Sequence, residues 1–122
     1  MGRNTAITFL LGLMPALAAN SYRHRIGRAQ SPPNPALGYI GNFLYMLDQL
    51  YENDYSSHPK LVRAFEILFI IHAEHEVNCS TALLRNLVSS GSNVFSAVSA
   101  AAGALYGPRH GGANSSVIRM LE

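Results

Sequence analysis

The sequence predicts an all-α, multi-helical fold, and three observations support this prediction. Apolar residues recur at helical spacing in several segments, helix-capping and helix-stopping residues separate those segments, and no segment shows the alternation typical of a strand. The chain has 122 residues, of which 48% are hydrophobic and 13% are charged. This length fits one domain or part of one, and this composition is unlike that of a disordered tail.

The N-terminal region allows two interpretations. An arginine at position 3, an apolar run and an Ala-Leu-Ala-like end together imitate a secretory signal peptide. Alternatively, residues 10–25 form an apolar helix of a globular protein, with Pro15 near its start or at a kink and "YRHR" as its cationic last turn. We expect the run to be too short, and too interrupted by Gly12 and Pro15, to span a membrane comfortably.

Two more helices are predicted in the middle of the chain. Residues 27–38 are rich in proline and turn residues and are predicted to form a loop. An amphipathic helix should follow the loop, because large apolar residues recur at helical spacing. These residues are Ile40, Phe43, Leu44, Leu47 and Leu50. A second helix is predicted after Pro59. Its polar stripe of Lys60, Arg63 and Glu66 ends halfway, so we expect its C-terminal half to be buried.

Three helices are predicted in the last part of the chain. The first has Asn78 or Ser80 as its N-cap and ends at Gly91. The second spans about residues 94–106 and carries small residues on one side, which is typical of a helix that packs closely against a neighbour. Those small residues are Ala97, Ala100, Ala101 and Ala104. The third is predicted to start from Asn114 or Ser115 as its cap.

A cluster of polar residues in "HAEHEVNCS" raises the question of a metal site. His72, His75, Glu76 and Cys79 lie close together, but the order of histidine and glutamate fits neither His-Glu-x-x-His nor His-x-x-Glu-His. A structural zinc site would also show a second pair of ligands at short spacing. Three interpretations remain: a metal site, an anion-binding histidine site, or polar residues that end a buried helix.

The segment "GPRHGGAN" is the second candidate for chemistry. Pro108 and the glycines at 111 and 112 should fix a turn around His110, and the glycines would let a ligand approach the backbone. The helix that follows would direct its N-terminal amides toward this turn, where a neutral histidine can donate a hydrogen bond to a carbonyl. A structural turn with an exposed histidine is the alternative interpretation.

Charge and cysteine content exclude some functions. The net charge of +2, without a Lys/Arg block, argues against general nucleic-acid binding. Cys79 is the one cysteine of the chain, so an internal disulfide is excluded.

Together, "ILFIIHAEHEVNCST", the Ala-rich helix and "GALYGPRHGGAN" resemble the citrate synthase family over roughly residues 11–122. The resemblance implies an intracellular, α-helical homodimeric acyltransferase of the tricarboxylic acid cycle that condenses acetyl-CoA with oxaloacetate. Acetyl-CoA is then a substrate, and no cofactor, metal, nucleic acid or membrane is implied. The compartment stays open among peroxisome, mitochondrion and cytoplasm. A secreted protein is not expected, because the apolar N-terminal run falls where the family has an internal helix.

The resemblance also implies roles for single residues. His110 would be the catalytic histidine that stabilises the enol of acetyl-CoA, with Ser80 as its orienting partner. His75, Asn78, Ser80 and Gly111 would lie at the substrate site, with His75 binding oxaloacetate, and His72 would have a supporting role. The helix at 94–106 would belong to the dimer interface. This arrangement favours a substrate-anion site over a metal site at the histidine cluster.

Two departures from the family qualify these expectations. Arg109 stands where the family commonly has an apolar or small residue. Residues 1–122 resemble part of a large domain, without the N-terminal part and without the C-terminal part that carries the small domain and further catalytic residues. We therefore expect the chain alone to be inactive. A non-catalytic dimerisation fragment, a 2-methylcitrate synthase and a citrate-cleaving module are the alternatives.

Overall fold

The computed structural model describes residues 2–50, 55–73 and 76–122. These residues form helices and connections without any strand, which confirms the predicted all-α fold. The helices in chain order are α1 (Arg3–Arg25), α2 (Tyr39–Asp48), α3 (Pro59–Ile71), α4 (Cys79–Ser89), α5 (Val94–Leu105) and α6 (Gly112–Leu121). The described residues divide into two compact units, residues 7–73 and residues 2–6 with 76–122.

Helix α1 is longer than the sequence predicted. It begins at Arg3, seven residues before the predicted start, and continues through Gly12 and Pro15, so the expectation that the run is too short to span a membrane is wrong as to its length. Proline at position 15 has no N–H for the carbonyl of Leu11 four residues earlier, and the Tyr39 hydroxyl donates to that carbonyl instead, at 2.9 Å. An external donor from α2 thus replaces the missing helical bond. By length and composition alone α1 is able to cross a membrane, which for one helix near an N-terminus is weak evidence.

Arg23 fastens the end of α1 to the end of α2. Arg23 is 2% exposed, although it belongs to the basic last turn of α1. Its Nη1 donates to the carbonyls of Met46, Leu47 and Gln49 at 3.3, 3.2 and 2.9 Å, and its Nε donates to Ala29. The cation therefore lies at the C-terminus of α2, where carbonyl groups lack helical donors and the helix dipole is negative.

The predicted burial of the C-terminal half of α3 is wrong. None of its residues is buried, and Ile70 and Ile71 are 68% and 61% exposed. Helix α2 contacts α3 through the ring of Phe69, which meets the rings of Tyr39 and Phe43, and Ile70 and Ile71 stay uncovered. The absence of polar residues from the C-terminal half of α3 indicates an apolar surface, but it does not indicate whether residues of this chain cover that surface.

Helices α4 and α5 pack against each other in the unit that contains residues 76–122. Ala97 is fully buried and Ala101 is 9% exposed, which confirms that α5 is a packing helix. Asn78 caps α4 by accepting a hydrogen bond from the Thr81 amide at 2.9 Å. Gly91 follows α4 with φ of 83°, the left-handed conformation expected of a stop residue.

The predicted cap of the last helix is wrong. Helix α6 begins at Gly112, before Asn114, and the N-cap residue Gly111 has no side chain to cap it. The backbone of the preceding turn replaces the side-chain cap, because the amides of Ala113 and Asn114 donate to the carbonyls of His110 and Gly111. Amides that we expected to point at a ligand are thus already used within the turn.

Candidate active site

Three backbone elements converge on the side chain of Ser80. This residue is the second of α4, and its position follows from the Asn78 cap that starts the helix. Its hydroxyl donates to the carbonyl of Ala101 in α5 at 2.8 Å, and its Oγ lies 2.8 Å from Nε2 of His110. Ser80 therefore joins α4, α5 and the turn before α6 within one unit of the fold. The contact between Ser80 and His110 that the resemblance implied is present.

The turn at 107–111 holds His110 through its backbone. The His110 amide donates to Gly107 at 3.0 Å, and the Gly111 amide donates to Leu105 at 3.0 Å. A Cβ at position 111 would lie 2.1 Å from the Leu105 carbonyl oxygen, so only glycine fits there. The close approach that we expected for a ligand is made by the chain's own backbone. The amide of Gly111 is also engaged, and its proposed contact with substrate stays a prediction.

His72 and Asn78 lie at the exposed ends of helices. His72 is the C-cap of α3, and its Nδ1 lies 2.8 Å from the Leu68 carbonyl, which can only accept a hydrogen bond. Nδ1 of His72 is therefore the protonated nitrogen. The Asn78 Oδ1 is used as the cap of α4, and for its Nδ2 the structure records no acceptor among the described residues. The supporting role of His72 at the substrate site stays a prediction.

His75 and Glu74 lie outside the described residues. The proposed oxaloacetate contact of His75 therefore stays a prediction. Glu76, the next described residue, has φ of 60°, a conformation that costs a side-chain-bearing residue roughly 1–2 kcal/mol. This left-handed residue lies between the end of α3 and the cap of α4, within the histidine motif.

A metal site was one of the three interpretations of the histidine cluster. Residues 2–50, 55–73 and 76–122 contain no group of three His, Cys, Asp or Glu side chains arranged to hold a metal ion. Cys79 is exposed and has a free thiol. Since His75, one member of the sequence cluster, lies outside the described residues, the absence of a metal stays a prediction.

An apolar cavity of about 440 Å³ lies between α1 and α2. Its lining includes Phe9, Leu13, Pro33, Tyr39 and Met46. The Asn42 side chain, which is one of its few polar groups, is already bonded to the backbone of Asn34. The cavity therefore offers little to orient a polar substrate.

Sequence patterns did not reveal two polar contacts that shape this chain. The Ala101 carbonyl is a backbone group in an apolar helix, and no residue-type signal marks it as a partner of Ser80. The hydrogen bonds of Arg23 to the end of α2 were also not predicted, because Arg23 belongs to a basic run that is typical of a solvated helix end. No residue pattern distinguishes Arg23 from its basic neighbours as the residue that reaches α2.

Comparisons with known proteins settle the family. A family model described as "Citrate synthase, C-terminal domain" matches residues 2–122. The chain belongs to the citrate synthase family. The match begins nine residues before the region over which the motifs suggested it, so the whole of α1 lies within the family match.

Relatives and solved structures agree with this assignment. The chain is 56% identical over 119 residues to "Citrate synthase, peroxisomal" of Dictyostelium discoideum, and 51% identical over 120 residues to "Citrate synthase, glyoxysomal" of Cucurbita maxima. These matches cover 98% of this chain and 24% and 23% of the relatives. The crystal structure of citrate synthase from Pyrobaculum aerophilum matches with a TM-score of 0.78 and 37% identity, over 90% of this chain and 26% of that one. The chain thus spans about a quarter of the length of the proteins it resembles.

Proposed function

We propose that this chain is the part of a citrate synthase that supplies the enol-stabilising histidine. The proposed reaction condenses acetyl-CoA with oxaloacetate and releases citrate and CoA. The observation that carries the proposal is the 2.8 Å contact between Ser80 Oγ and His110 Nε2, made by two residues that lie in the two family motifs. The family match over residues 2–122 supports the same reaction.

The chemistry explains why a held histidine is needed. Removing a proton from the methyl group of an acetyl thioester places negative charge on the thioester oxygen. A base must take the proton, and a donor aimed at that oxygen must stabilise the charge as it develops. His110 is held by the Gly107 carbonyl through its backbone and by Ser80 through its ring. Its second ring nitrogen, Nδ1, is then the one that meets the substrate oxygen.

The remaining roles follow the motif positions. His75 binds a carboxylate of oxaloacetate, and Asn78 offers its Nδ2 beside it, since its Oδ1 is committed to the cap of α4. Gly111 completes the substrate site beside His110. The catalytic base and further anion-binding residues belong to the part of the enzyme outside this quarter of the relatives' length. The 122-residue chain alone should therefore show no turnover.

Assembly and compartment are further parts of the proposal. A homodimer that uses α5 is proposed from the motif position of that helix, since Ala97 and Ala101 on its small-residue face are already buried where α5 packs against α4. The relatives from Dictyostelium discoideum and Cucurbita maxima are named peroxisomal and glyoxysomal, so we propose an intracellular enzyme and a peroxisome as the first compartment to test.

One observation favours the alternative of a dimerisation fragment without catalysis. Large apolar side chains are exposed on α3 and α6, and such surfaces promote association. These include Ile70, Ile71, Met120 and Leu121. A 2-methylcitrate synthase or a citrate-cleaving module would share the same motifs, and the acyl chain is decided by residues that the motifs do not include.

A thiol-release assay on the complete protein that contains this chain tests the proposal. We expect release of CoA from acetyl-CoA that requires oxaloacetate, and a loss of roughly 10²–10³ in kcat for His110→Ala. His24→Ala is the matched control, since His24 is an exposed histidine at the end of α1. Turnover with propionyl-CoA and oxaloacetate, but not with acetyl-CoA and oxaloacetate, would favour the 2-methylcitrate synthase alternative. A folded dimer without any condensation activity would favour the fragment alternative.

A further inference from the structure

The Ser80 hydroxyl has one proton and two close neighbours. A backbone carbonyl can only accept, so the 2.8 Å contact with Ala101 requires that the hydroxyl donate its proton there. The proton is then unavailable for His110. The other 2.8 Å contact is a hydrogen bond only if Nε2 of His110 carries a proton and donates it to Oγ.

This assignment fixes the tautomer of a neutral His110. A neutral imidazole carries one N–H, so protonation at Nε2 leaves Nδ1 as an acceptor. Nδ1 is the nitrogen that remains available to a substrate, because Nε2 is occupied by Ser80. Donation to a thioester oxygen, the role proposed above, needs the proton on Nδ1. The tautomer inferred from these two contacts is therefore the wrong one for that role.

The opposite arrangement is disfavoured by the same geometry. If the hydroxyl pointed at Nε2, the oxygens of Ser80 and Ala101 would face each other at 2.8 Å without a hydrogen between them. The backbone has little freedom to relieve this contact. Ala101 is buried where α5 packs against α4, and Gly111 is held against the Leu105 carbonyl with no room for a Cβ. The hydroxyl torsion is the softest coordinate in the group.

We propose that Ser80 is a hydroxyl switch that keeps His110 in the Nε2–H tautomer until substrate binds. The inference rests on the proposed function. When a substrate oxygen reaches Nδ1, the Ser80 hydroxyl turns from the Ala101 carbonyl to Nε2. Nε2 releases its proton to water and Nδ1 takes one from water, so the protein's charge does not change. The Ala101 carbonyl is not left without a hydrogen bond when the Ser80 hydroxyl turns away, because in a helix it also accepts from the amide of Leu105, four residues later. Ser80 is thus a positioning residue with two states.

The tautomer can be read directly by nitrogen NMR. Cys79 permits the full chain to be assembled by ligating residues 1–78 to a synthetic 79–122 segment that carries ¹⁵N only in the His110 ring. At a pH where the ring is neutral, we expect a pyrrole-type shift for Nε2 and a pyridine-type shift for Nδ1. A pyrrole-type Nδ1 in the folded, unliganded chain would overturn the proposal.

A backbone ester separates the switch from simple packing. Ala102→lactic acid converts the Ala101 carbonyl into an ester carbonyl, which is a poorer acceptor, and should raise the Nδ1–H fraction several-fold. Ala100→lactic acid is the matched control, because it weakens the Ser99 carbonyl and leaves the tautomer unchanged. Ser80→Ala should give a mixture of tautomers. Equal tautomer ratios in all of these folded chains, checked by circular dichroism, would contradict the switch.

These results are independent of catalysis. If His110 is in the Nε2–H form and the Ala102→lactic acid variant shifts it toward Nδ1–H, the switch is supported. If the complete protein then fails to condense acetyl-CoA, only the proposed function is refuted. An active enzyme whose unliganded His110 is already in the Nδ1–H form would retain the proposed function and refute the switch.

Discussion

Replacing Gly111 by alanine is the most direct test of how the His110 turn is held. The new Cβ would lie 2.1 Å from the Leu105 carbonyl oxygen and 3.2 Å from its carbonyl carbon. Both atoms are backbone, so the clash cannot be relieved by rotating a side chain. Overpacking of this kind costs about 1–3 kcal/mol. Displacement of the Gly111 amide from Leu105 costs about 1 kcal/mol more.

One effect opposes this loss. Alanine restricts the unfolded chain more than glycine does, which stabilises the folded state by about 0.4–1 kcal/mol. Gly111 has an ordinary helical φ of −66°, so the backbone conformation adds no further penalty. The net expectation is that Gly111→Ala lowers the free energy of unfolding by roughly 1–4 kcal/mol.

Gly103→Ala is the matched control. Gly103 lies inside α5 in the same unit, and a Cβ there meets nothing within 4 Å. It should raise the free energy of unfolding by up to about 1 kcal/mol, because alanine is the better helix former. Urea unfolding followed by circular dichroism compares the two variants. If Gly111→Ala is as stable as the wild type, the close approach of the turn to Leu105 is not present in solution.

Three further outcomes are expected. Tyr39→Phe should lower the free energy of unfolding by roughly 0.5–1.5 kcal/mol, because the Leu11 carbonyl loses its donor. The loss should be smaller in a Pro15→Ala background, because residue 15 then supplies a backbone amide for that carbonyl. Additive effects of the two changes in urea unfolding would contradict the claim that the Tyr39 hydroxyl replaces the helical bond. Arg23→Met should lower the free energy of unfolding by about 3 kcal/mol in the same assay, because it leaves several carbonyls at the end of α2 without a donor. The control Arg25→Met should change it by no more than about 0.5 kcal/mol. Equal effects of the two variants would refute the stabilising role of the Arg23 hydrogen bonds. The isolated 122-residue chain should release no CoA above background, and turnover lost on His110→Ala would refute the assignment of the base to the rest of the enzyme.

The sequence predicted helices well where local signals act alone. The Asn78 cap, the Gly91 stop and the small face of α5 were all readable, because capping and close packing depend on residues near in the chain. The start of α6 was not, because its first amides are satisfied by carbonyls of the preceding turn. A cap made by backbone carbonyls requires no particular side chain, so the sequence contains no pattern that predicts it.

Long-range contacts set the limit of prediction. Pro15 was expected near the start of α1 or at a kink, and the donor that replaces its missing amide inside the helix comes from Tyr39, 24 residues later in the chain. The apolar end of α3 was expected to be buried, but a pattern cannot say which partner covers it. The contact of Ser80 with His110 could be predicted only through two family motifs, since their spacing of 30 residues means nothing without the fold.

The kinetic difference between His110 and His75 tests the central claim most directly. His110 acts on charge that develops as the thioester enolises, so His110→Ala in the complete enzyme should lower kcat by roughly 10²–10³. His75 would bind oxaloacetate already in the ground state, so His75→Ala should chiefly raise the KM for oxaloacetate. Thermal melts of both variants confirm that each is folded. Unchanged oxaloacetate saturation in His75→Ala, or intact turnover in His110→Ala, would contradict the roles assigned to the two motifs.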